Sequence, residues 1–335
     1  MEYGSYYKGK NVLITGGLGF IGSNLAIALT EMGSHVIIMD NNLEGHGGNA
    51  YNIAPIHDRV ELHITDLRNG DMTMALVKGV DIIFHLAAHT HSLASLKRPF
   101  VDLDINCVGT LILLQSCRRN NPGVRLVYGG SRLNPYWLRE GSSLGRRGME
   151  IPDLTQIHKM AGELYHRVYH QQGIIAYTAL RLGHLYGPRA SVHRESAGFL
   201  NWLIYQAVQD KEIELPKDEG MEFDYVYIKD IVDAFVIAGA NESTIGKSYD
   251  IRGQERRSPF ELAKQVADVL GKKLTSPEED IADQKEIQKA AFLQEEQLFS
   301  MDTGWKPRVD LAEGIGETAS FYESHKREYW KGAPE

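Results

Sequence analysis

Short apolar runs alternate with helix-like segments through the first half of the chain. The runs are rich in valine, isoleucine and leucine, and the segments between them carry apolar residues at three- and four-residue spacing. Buried parallel strands that alternate with helices have this pattern. It predicts six strands, at residues 11–15, 35–39, 60–65, 81–86, 124–128 and 174–182. The expected fold class is α/β, with a doubly wound parallel sheet.

The pattern changes after about residue 185. Prolines at 188, 216 and 259, several glycines and scattered helical segments replace the regular alternation. We therefore predict a sheet domain over residues 1–182 and a smaller C-terminal lobe over residues 183–335, with segments interleaved between them.

The first predicted strand runs into a glycine-rich turn. Gly16, Gly19 and Gly22 separate this strand from a segment with helical spacing. A strand that turns sharply into a helix presents free backbone N–H groups and a positive dipole end, which together bind a pyrophosphate. Asp40 ends the next strand, where a carboxylate accepts hydrogen bonds from both ribose hydroxyls and repels a 2′-phosphate. These residues predict a Rossmann domain that binds NAD rather than NADP.

Composition narrows the range of partners. The chain has 335 residues, of which 43% are hydrophobic and 24% charged, and its formal net charge is −8. This balance is ordinary for a soluble protein and gives no support to binding of nucleic acid or an anionic membrane. We expect no leader, no apolar run of membrane length and no metal site. Cys107 and Cys117 are too far apart on one helix-like segment to pair, so we expect free thiols in a cytoplasmic protein.

A series of motifs resembles the extended short-chain dehydrogenase/reductase family, which includes nucleotide-sugar epimerases, dehydratases and decarboxylases. The resemblance runs from Lys10 to about Tyr322. Its motifs are the glycine turn at 15–22, Asp40-Asn41, Asp66-Leu67-Arg68, His85-Leu86-Ala87-Ala88-His89, Asn106 with Gly109-Thr110, the segments at 180–189 and 224–230, and Gly304-Trp305-Lys306-Pro307.

The resemblance implies that residues 1–182 bind NAD and that residues 183–335 mainly bind substrate. The implied NAD contacts are Gly16, Gly19, Phe20, Ile21, Gly22, Asp40, Asn41, Asn42, Asp66, Leu67, Leu86, Ala87, Ala88, Asn106 and Lys159. The implied substrate contacts are His89, His184, Arg189 and Phe223. A homodimer through helices at about 98–120 and 153–172 is also implied.

The catalytic residues of the family are a tyrosine, a lysine four residues later, and a serine or threonine. The tyrosine transfers a proton, and the lysine lowers its pKa and holds the nicotinamide ribose. Ser131 fits the serine position and Lys159 the lysine position. Thr155 stands where the tyrosine belongs, and an aliphatic hydroxyl is a weaker acid with a shorter reach.

Three explanations of Thr155 are open. Another group transfers the proton, and the candidates by proximity in sequence are Tyr128, Tyr136, His158, His91 and Glu163. Alternatively, the reaction needs no strong acid or base at that point, or catalysis has been lost. The substrate residues depart from the family as well, with His184 in place of an asparagine that contacts the diphosphate and Phe223 in place of an arginine.

The sequence therefore predicts an NAD-dependent enzyme that modifies a nucleotide-linked sugar by epimerisation, dehydration or decarboxylation. Hydride transfer would be transient, and the acid or base nonstandard. One alternative is an NAD-dependent oxidoreductase for another small alcohol or carbonyl. The other is a catalytically impaired NAD-binding module.

Overall fold

Strands and helices alternate along the chain in the order that the hydrophobic pattern predicts. The structure, a computed structural model, describes residues 3–43, 47–89, 92–132, 154–192, 198–215, 222–275 and 298–329. The strands are β1 (Asn11–Thr15), β2 (His35–Asp40), β3 (Glu61–Ile64), β4 (Ile82–His85), β5 (Val124–Ser131), β6 (Ile175–Leu182), β7 (His184–Tyr186), β8 (Ile213–Glu214), β9 (Phe223–Tyr227), β10 (Ser248–Asp250), β11 (Arg256–Arg257) and β12 (Leu274–Thr275). The α-helices are α1 (Gly4–Tyr7), α2 (Phe20–Glu31), α3 (Gly70–Leu76), α4 (Ser92–Lys97), α5 (Pro99–Leu103), α6 (Thr110–Asn120), α7 (Leu154–Gln171), α8 (Phe199–Val208), α9 (Ile228–Ala240), α10 (Pro259–Leu270), α11 (Leu298–Thr303), α12 (Leu311–Ser324) and α13 (Lys326–Tyr329).

Seven strands form the central sheet, in the order β10-β6-β5-β4-β1-β2-β3. Each neighbouring pair is parallel, and Val12 of β1 lies opposite Val36 on one side and Ile82 on the other. Six of these strands correspond to the predicted apolar runs, so the predicted α/β fold is confirmed. The prediction lacks the seventh strand, β10, because a run of three residues carries no readable periodicity.

The central apolar runs form strands because the sheet buries them on both faces. All four residues of β4 are buried, and Leu13 and Leu126 of its neighbours pack into the same core as Leu113 of α6. Full burial of a leucine or isoleucine stabilises the fold by roughly 1.5–3 kcal/mol. The packed core therefore holds the carboxyl ends of these strands in place. The predicted site residues follow these ends in sequence.

One helical stretch runs from Pro99 to Asn120 and includes a π-helical turn at Asp104–Gly109 between α5 and α6. Within the described ranges it alone is long and apolar enough to cross a membrane, which differs from the expectation that no such run exists. Half of its most apolar part is buried, as in the core helix of a globular protein. The π turn carries Asn106, and such turns are frequent at functional sites.

The chain divides into two compact units. The first comprises Met1–Leu182, Val232–Ile251 and Gln294–Trp305, and it holds the seven-stranded sheet. The second comprises Gly183–Ile231, Arg252–Leu293 and Lys306–Glu335, and it holds the sheet β11-β9-β7 and the pair β12-β8. Two segments beyond residue 182 thus belong with the first unit.

Candidate active site

The glycine turn after β1 has no space for side chains at two positions. Gly16 has a φ of 75°, and a Cβ there would lie 2.7 Å from the backbone nitrogen of Ala87. A Cβ on Gly22 would lie 2.8 Å from the Cα of Gly17 and would overlap the carbonyl oxygen of Gly16. These neighbours are backbone atoms that cannot rotate away, so both positions require glycine.

Helix α2 begins at this turn, and no side chain among the described residues caps its first backbone N–H groups. Gly19 is the N-cap, and the first turn holds no acidic residue. The N–H groups of Phe20 and Ile21 therefore belong to the unsatisfied donors of a helix start. With the helix dipole, they form a seat for an anion such as a pyrophosphate.

The carboxylate of Asp40 closes the turn from the end of β2. Its Oδ2 accepts the N–H of Leu18 at 3.0 Å, and its Oδ1 accepts the N–H of Asn42 at 2.8 Å. Burial raises the pKa of Asp40, and these two N–H groups act in the opposite direction. Because an ionised carboxylate has about four acceptor positions, Asp40 can still bind both hydroxyls of a ribose.

Asp66 lies in a charged cluster after β3. Its Oδ1 accepts Nε of Arg68 at 2.8 Å, and its Oδ2 accepts Nδ2 of Asn41 at 2.9 Å. The Arg68 guanidinium holds the pKa of Asp66 well below its usual range. The structure thus brings together Asn41 and Asp66, two predicted cofactor residues, and adds Arg68 as their partner. Adenine binding by Asp66 stays a prediction.

The residues after β4 lie against the glycine turn. The N–H of Leu86 donates to the carbonyl oxygen of Thr15 at 3.1 Å, and the N–H of Ala87 donates to Oγ1 of Thr15 at 3.2 Å. Leu86, Ala87 and Ala88 are half-buried. Leu67 is buried and packs against Gly109 of the π turn. A Cβ on Gly109 would lie 3.2 Å from Cδ2 of Leu67.

Lys159 is a buried cation on α7. Its Nζ lies 4.4 Å from the centroid of the Tyr128 ring. Burial lowers the pKa of Lys159 to about 8, and the charges of Asp102 and Glu163 act in the opposite direction. Lys159 is therefore still mainly protonated at neutral pH, and it sits at the position that the resemblance assigned to the lysine of the family.

Tyr128 of β5 packs against helix α7. Its ring is buried and stacks on His166 with 4.5 Å between the ring centroids, and its hydroxyl donates to the carbonyl oxygen of Lys159 at 3.1 Å. Burial raises the pKa of Tyr128 well above its usual value. This placement argues against Tyr128 as the group that transfers a substrate proton.

Two other candidates differ in their surroundings. Glu163 accepts Nε and a second guanidinium nitrogen of Arg181 at 2.9 and 2.7 Å, and it also accepts the hydroxyl of Ser248 at 2.8 Å. Both carboxylate oxygens of Glu163 are therefore engaged in hydrogen bonds. Ser131 is half-buried at the end of β5, opposite Leu182 of β6.

Asp102 of α5 is the centre of a polar cluster that the sequence analysis did not predict. Its Oδ2 accepts the hydroxyl of Thr155 at 2.8 Å and Nδ1 of His89 at 3.2 Å. Its Oδ1 accepts Nδ1 of His158 and Nδ2 of Asn106, both at 2.8 Å. Asp102 is fully buried. Burial by itself raises its pKa, but the four hydrogen bonds together lower it to about 2, so this carboxylate is ionised at neutral pH.

Asn106 also fixes the backbone of His89. Its Oδ1 accepts the N–H of His89 at 3.0 Å, and its Nδ2 donates to the carbonyl oxygen of His89 at 2.9 Å. The hydroxyl of Thr110 donates to the carbonyl oxygen of Asn106 at 2.7 Å, one turn further along the helix. The π turn thereby fixes the loop after β4.

The Asp102 cluster unites residues that were predicted for three different roles. Thr155 and His158 were catalytic candidates, His89 a substrate contact and Asn106 a cofactor contact. Asp102 itself belongs to none of the family motifs. The one feature of the sequence that could have pointed to it is an acidic residue in an apolar helix, four residues before Asn106 and so on the same helix face. Tyr136 and His91 lie outside the described residues. In the part of the chain that the structure describes, no three metal-ligating side chains are arranged to hold an ion.

The predicted substrate residues of the second unit occupy two places. His184 lies against Phe223 and Tyr225, with ring centroids 4.8 and 5.3 Å apart. The guanidinium of Arg189 instead lies 5.0 Å from the ring centroid of Phe321. His184 is exposed and Phe223 half-buried, so the first group presents an aromatic surface.

Comparisons with known proteins give the family. The model of the NAD-dependent epimerase/dehydratase family matches residues 12–251. The chain is 27% identical to dTDP-L-rhamnose 4-epimerase of Burkholderia thailandensis, over 93% of this chain and 95% of that protein. It is 28% identical to UDP-glucose 4-epimerase of Mycolicibacterium smegmatis, over 92% of this chain and 97% of that protein.

A solved structure has the same fold. It is the Bordetella bronchiseptica enzyme WbmF in complex with NAD+ and UDP, which matches with a TM-score of 0.83 and 21% identity, over 98% of this chain and 96% of that one. The family model spans most of the chain and confirms the resemblance that its motifs indicated. The chain therefore belongs to the NAD-dependent epimerase/dehydratase family and is an enzyme of that type.

Proposed function

We propose that this enzyme modifies a nucleotide-linked sugar by epimerisation or dehydration, and that its proton transfer uses no tyrosine. The observation that carries the proposal is the burial of Lys159 beside the ionised, hydrogen-bonded Asp102 cluster. Buried charges with perturbed pKa values are concentrated where proteins do chemistry. The names of the relatives, a dTDP-L-rhamnose and a UDP-glucose epimerase, support the substrate class.

The residues of the first unit fit NAD. The N–H groups of Phe20 and Ile21 would hold the pyrophosphate, Asp40 the adenosine ribose and Lys159 the nicotinamide ribose. When bound, NAD supplies an acceptor for a substrate hydride and can return it, which leaves the substrate with no net change of oxidation state.

Lys159 and Ser131 have separate tasks in this proposal. Lys159 carries a positive charge in a site with little water, so it stabilises negative charge that develops on a substrate oxygen. The hydroxyl of Ser131 holds the reacting substrate hydroxyl at the carboxyl end of β5. Neither residue needs to exchange a proton for these effects.

The substrate class is tested by ligand binding and cofactor release. We expect the denatured protein to release a stoichiometric amount of NAD, because a recycled cofactor need not leave. We also expect UDP-glucose or dTDP-L-rhamnose to raise the melting temperature by several degrees, as a ligand that binds only the folded state must. Absence of a shift with every UDP-, dTDP-, GDP- and CDP-linked sugar would contradict the proposal. Net reduction of another carbonyl would indicate the oxidoreductase alternative.

We further propose that the enzyme is a cytoplasmic homodimer. Large apolar side chains are exposed on the helices expected to form its interface: Phe100, Leu103, Val108, Met160, Leu164 and Val168. On α7 they recur every four residues, which makes one stripe along the helix. Both cysteines are free and buried, as is usual in a reducing compartment.

The dimer is tested by placing charges in this stripe. We expect the double variant Leu164→Glu, Val168→Glu to be monomeric, because an interface cannot bury two unpaired carboxylates. The measurement is mass by light scattering after size-exclusion chromatography. Met301→Glu is the matched control, since Met301 is an exposed apolar residue of α11, outside these helices. A dimeric double variant would exclude the proposed interface.

A further inference from the structure

We propose that His158, oriented by Asp102, takes up and returns the substrate proton in place of the absent tyrosine. This inference rests on the proposed function, because it assigns the proton carrier of that reaction. It draws on the hydrogen bonds of Asp102, the position of His158 on α7 and the exposure of its ring.

The hydrogen bonds determine which nitrogen of His158 can act. An ionised carboxylate only accepts hydrogen bonds, so Nδ1 of His158, 2.8 Å from Oδ1 of Asp102, carries the hydrogen. In a neutral imidazole the other nitrogen, Nε2, then holds a lone pair. Among the described residues, no hydrogen bond to Nε2 of His158 is present. A carboxylate that fixes the imidazole in this way orients a general base.

The position of His158 on α7 matches this task. Thr155 occupies the tyrosine position, and His158 and Lys159 follow it by three and four residues, which places all three near one face of the helix. Thr155 and His158 bind the two oxygens of one carboxylate. Asp102 has no exposed side-chain surface, whereas 13% of the His158 side chain is exposed. The ring therefore extends from the buried carboxylate toward the surface.

The proposed proton transfer keeps atoms and charges in balance. With NAD bound, the oxidised cofactor would accept the hydride of the carbon that bears the reacting hydroxyl. Nε2 of His158 would take the proton of that hydroxyl, and a carbonyl would be left. The ring becomes an imidazolium beside the carboxylate of Asp102. In the reverse step, Nε2 returns the proton to the oxygen as the hydride comes back. Thr155 donates its own hydrogen to Asp102, so its Oγ1 can accept a hydrogen bond from the substrate hydroxyl.

The charged and titratable groups around His158 are Asp102 from α5, His89 from the loop after β4, Cys107 from the π turn, and Lys159 on its own helix. Burial raises the pKa of Cys107, so this thiol is neutral at working pH. Asp102 is ionised throughout that range. An imidazolium carries hydrogen on both ring nitrogens, so only the neutral ring of His158 can take up the substrate proton at Nε2.

The experiment is a single-turnover measurement of cofactor reduction, by absorbance, after mixing with UDP-glucose or dTDP-L-rhamnose. We expect His158→Gln to slow reduction at least a hundredfold, with NAD affinity within twofold of the unmodified protein. Asp102→Asn should also slow reduction, because the imidazolium that forms at His158 would lose its adjacent carboxylate. His170→Gln is the matched control on the same helix, where Nδ1 of His170 bonds to the carbonyl oxygen of Ile175.

A second measurement decides the inference without turnover. Nitrogen NMR of the NAD-loaded protein should show the Nδ1–H tautomer for His158, with a signal that changes in Asp102→Asn. An Nε2–H tautomer would overturn the inference, as would a His158→Gln variant that reduces cofactor within threefold of the unmodified rate. If neither nucleotide sugar is turned over by the unmodified protein, the proposed function fails for these probes, and the tautomer still decides the role of His158.

Discussion

Replacing Gly22 by alanine is expected to abolish NAD binding and to destabilise the fold by about 2–4 kcal/mol. The new Cβ would lie 2.8 Å from the Cα of Gly17 and 2.9 Å from the carbonyl carbon of Gly16. Both atoms are backbone, so only a shift of α2 away from the turn can relieve the overlap. That shift would also move the N–H groups of Phe20 and Ile21, so NAD affinity should fall at least a hundredfold. Calorimetric titration with NAD and thermal unfolding measure the two effects.

Gly316→Ala is the control for the effect of adding a methyl group. Gly316 lies within α12, and a Cβ there meets no atom within 4 Å. Alanine in an open helical position should leave stability unchanged or raise it by about 0.5–1 kcal/mol. A folded Gly22→Ala variant that binds NAD with unchanged affinity would show that the close approach at this turn does not matter for the cofactor.

The sheet and the cofactor turn were predictable because their signals are local. Each buried parallel strand is a continuous apolar run, and the requirement for glycine at positions 16 and 22 comes from a turn of a few residues. The family followed from these motifs and from their order along the chain. One strand of the sheet, β10, could not be predicted from the local hydrophobic pattern. β10 is a strand because it pairs with β6, where Tyr249 lies opposite Leu180. The sequence of its three residues does not predict this pairing.

The Asp102 cluster could not be predicted from local patterns, because it is made by tertiary contacts. Asp102 bonds to His89, thirteen residues earlier, and to Thr155 and His158, more than fifty residues later. Before the structure, His158 was one of five candidates selected by nearness in sequence. Among the candidates that lie within the described residues, His158 is the one that bonds to Asp102.

Tyr128 shows that nearness in sequence does not give a shared side-chain direction. It lies three residues before Ser131 on β5, and side chains an odd number of residues apart on a strand point to opposite faces. Tyr128 therefore points into the core beside α7, although it is close to the predicted serine in sequence. In the proposed reaction His158 takes the substrate proton, so Tyr128 has no part in the transfer.

Lys159→Met is expected to raise stability and remove activity together. Methionine matches the length of the lysine stem, so it fills the same buried space without a charge. Lys159 is protonated in both the folded and unfolded states at pH 7, and the lowering of its pKa from 10.5 to about 8 measures what its burial costs. Part of this gain is offset by the lost contact with the Tyr128 ring, so we expect about 1–3 kcal/mol of added stability at pH 7. Cofactor reduction should fall at least a hundredfold, because the site loses its cation.

The pH dependence gives this prediction a second test. Between about pH 8 and 10.5 the unfolded chain holds a proton on Lys159 that the folded protein has released, so the stability of the unmodified protein rises with pH across this window. The advantage of Lys159→Met should therefore be largest at pH 7 and shrink above pH 8. Lys247→Met is the control, since Lys247 is an exposed lysine that bonds to Asp302 at 2.8 Å, and its loss should change stability by less than about 1 kcal/mol. A Lys159→Met variant that is less stable at pH 7, or that keeps its rate, would mean that this buried charge supports the fold rather than the reaction.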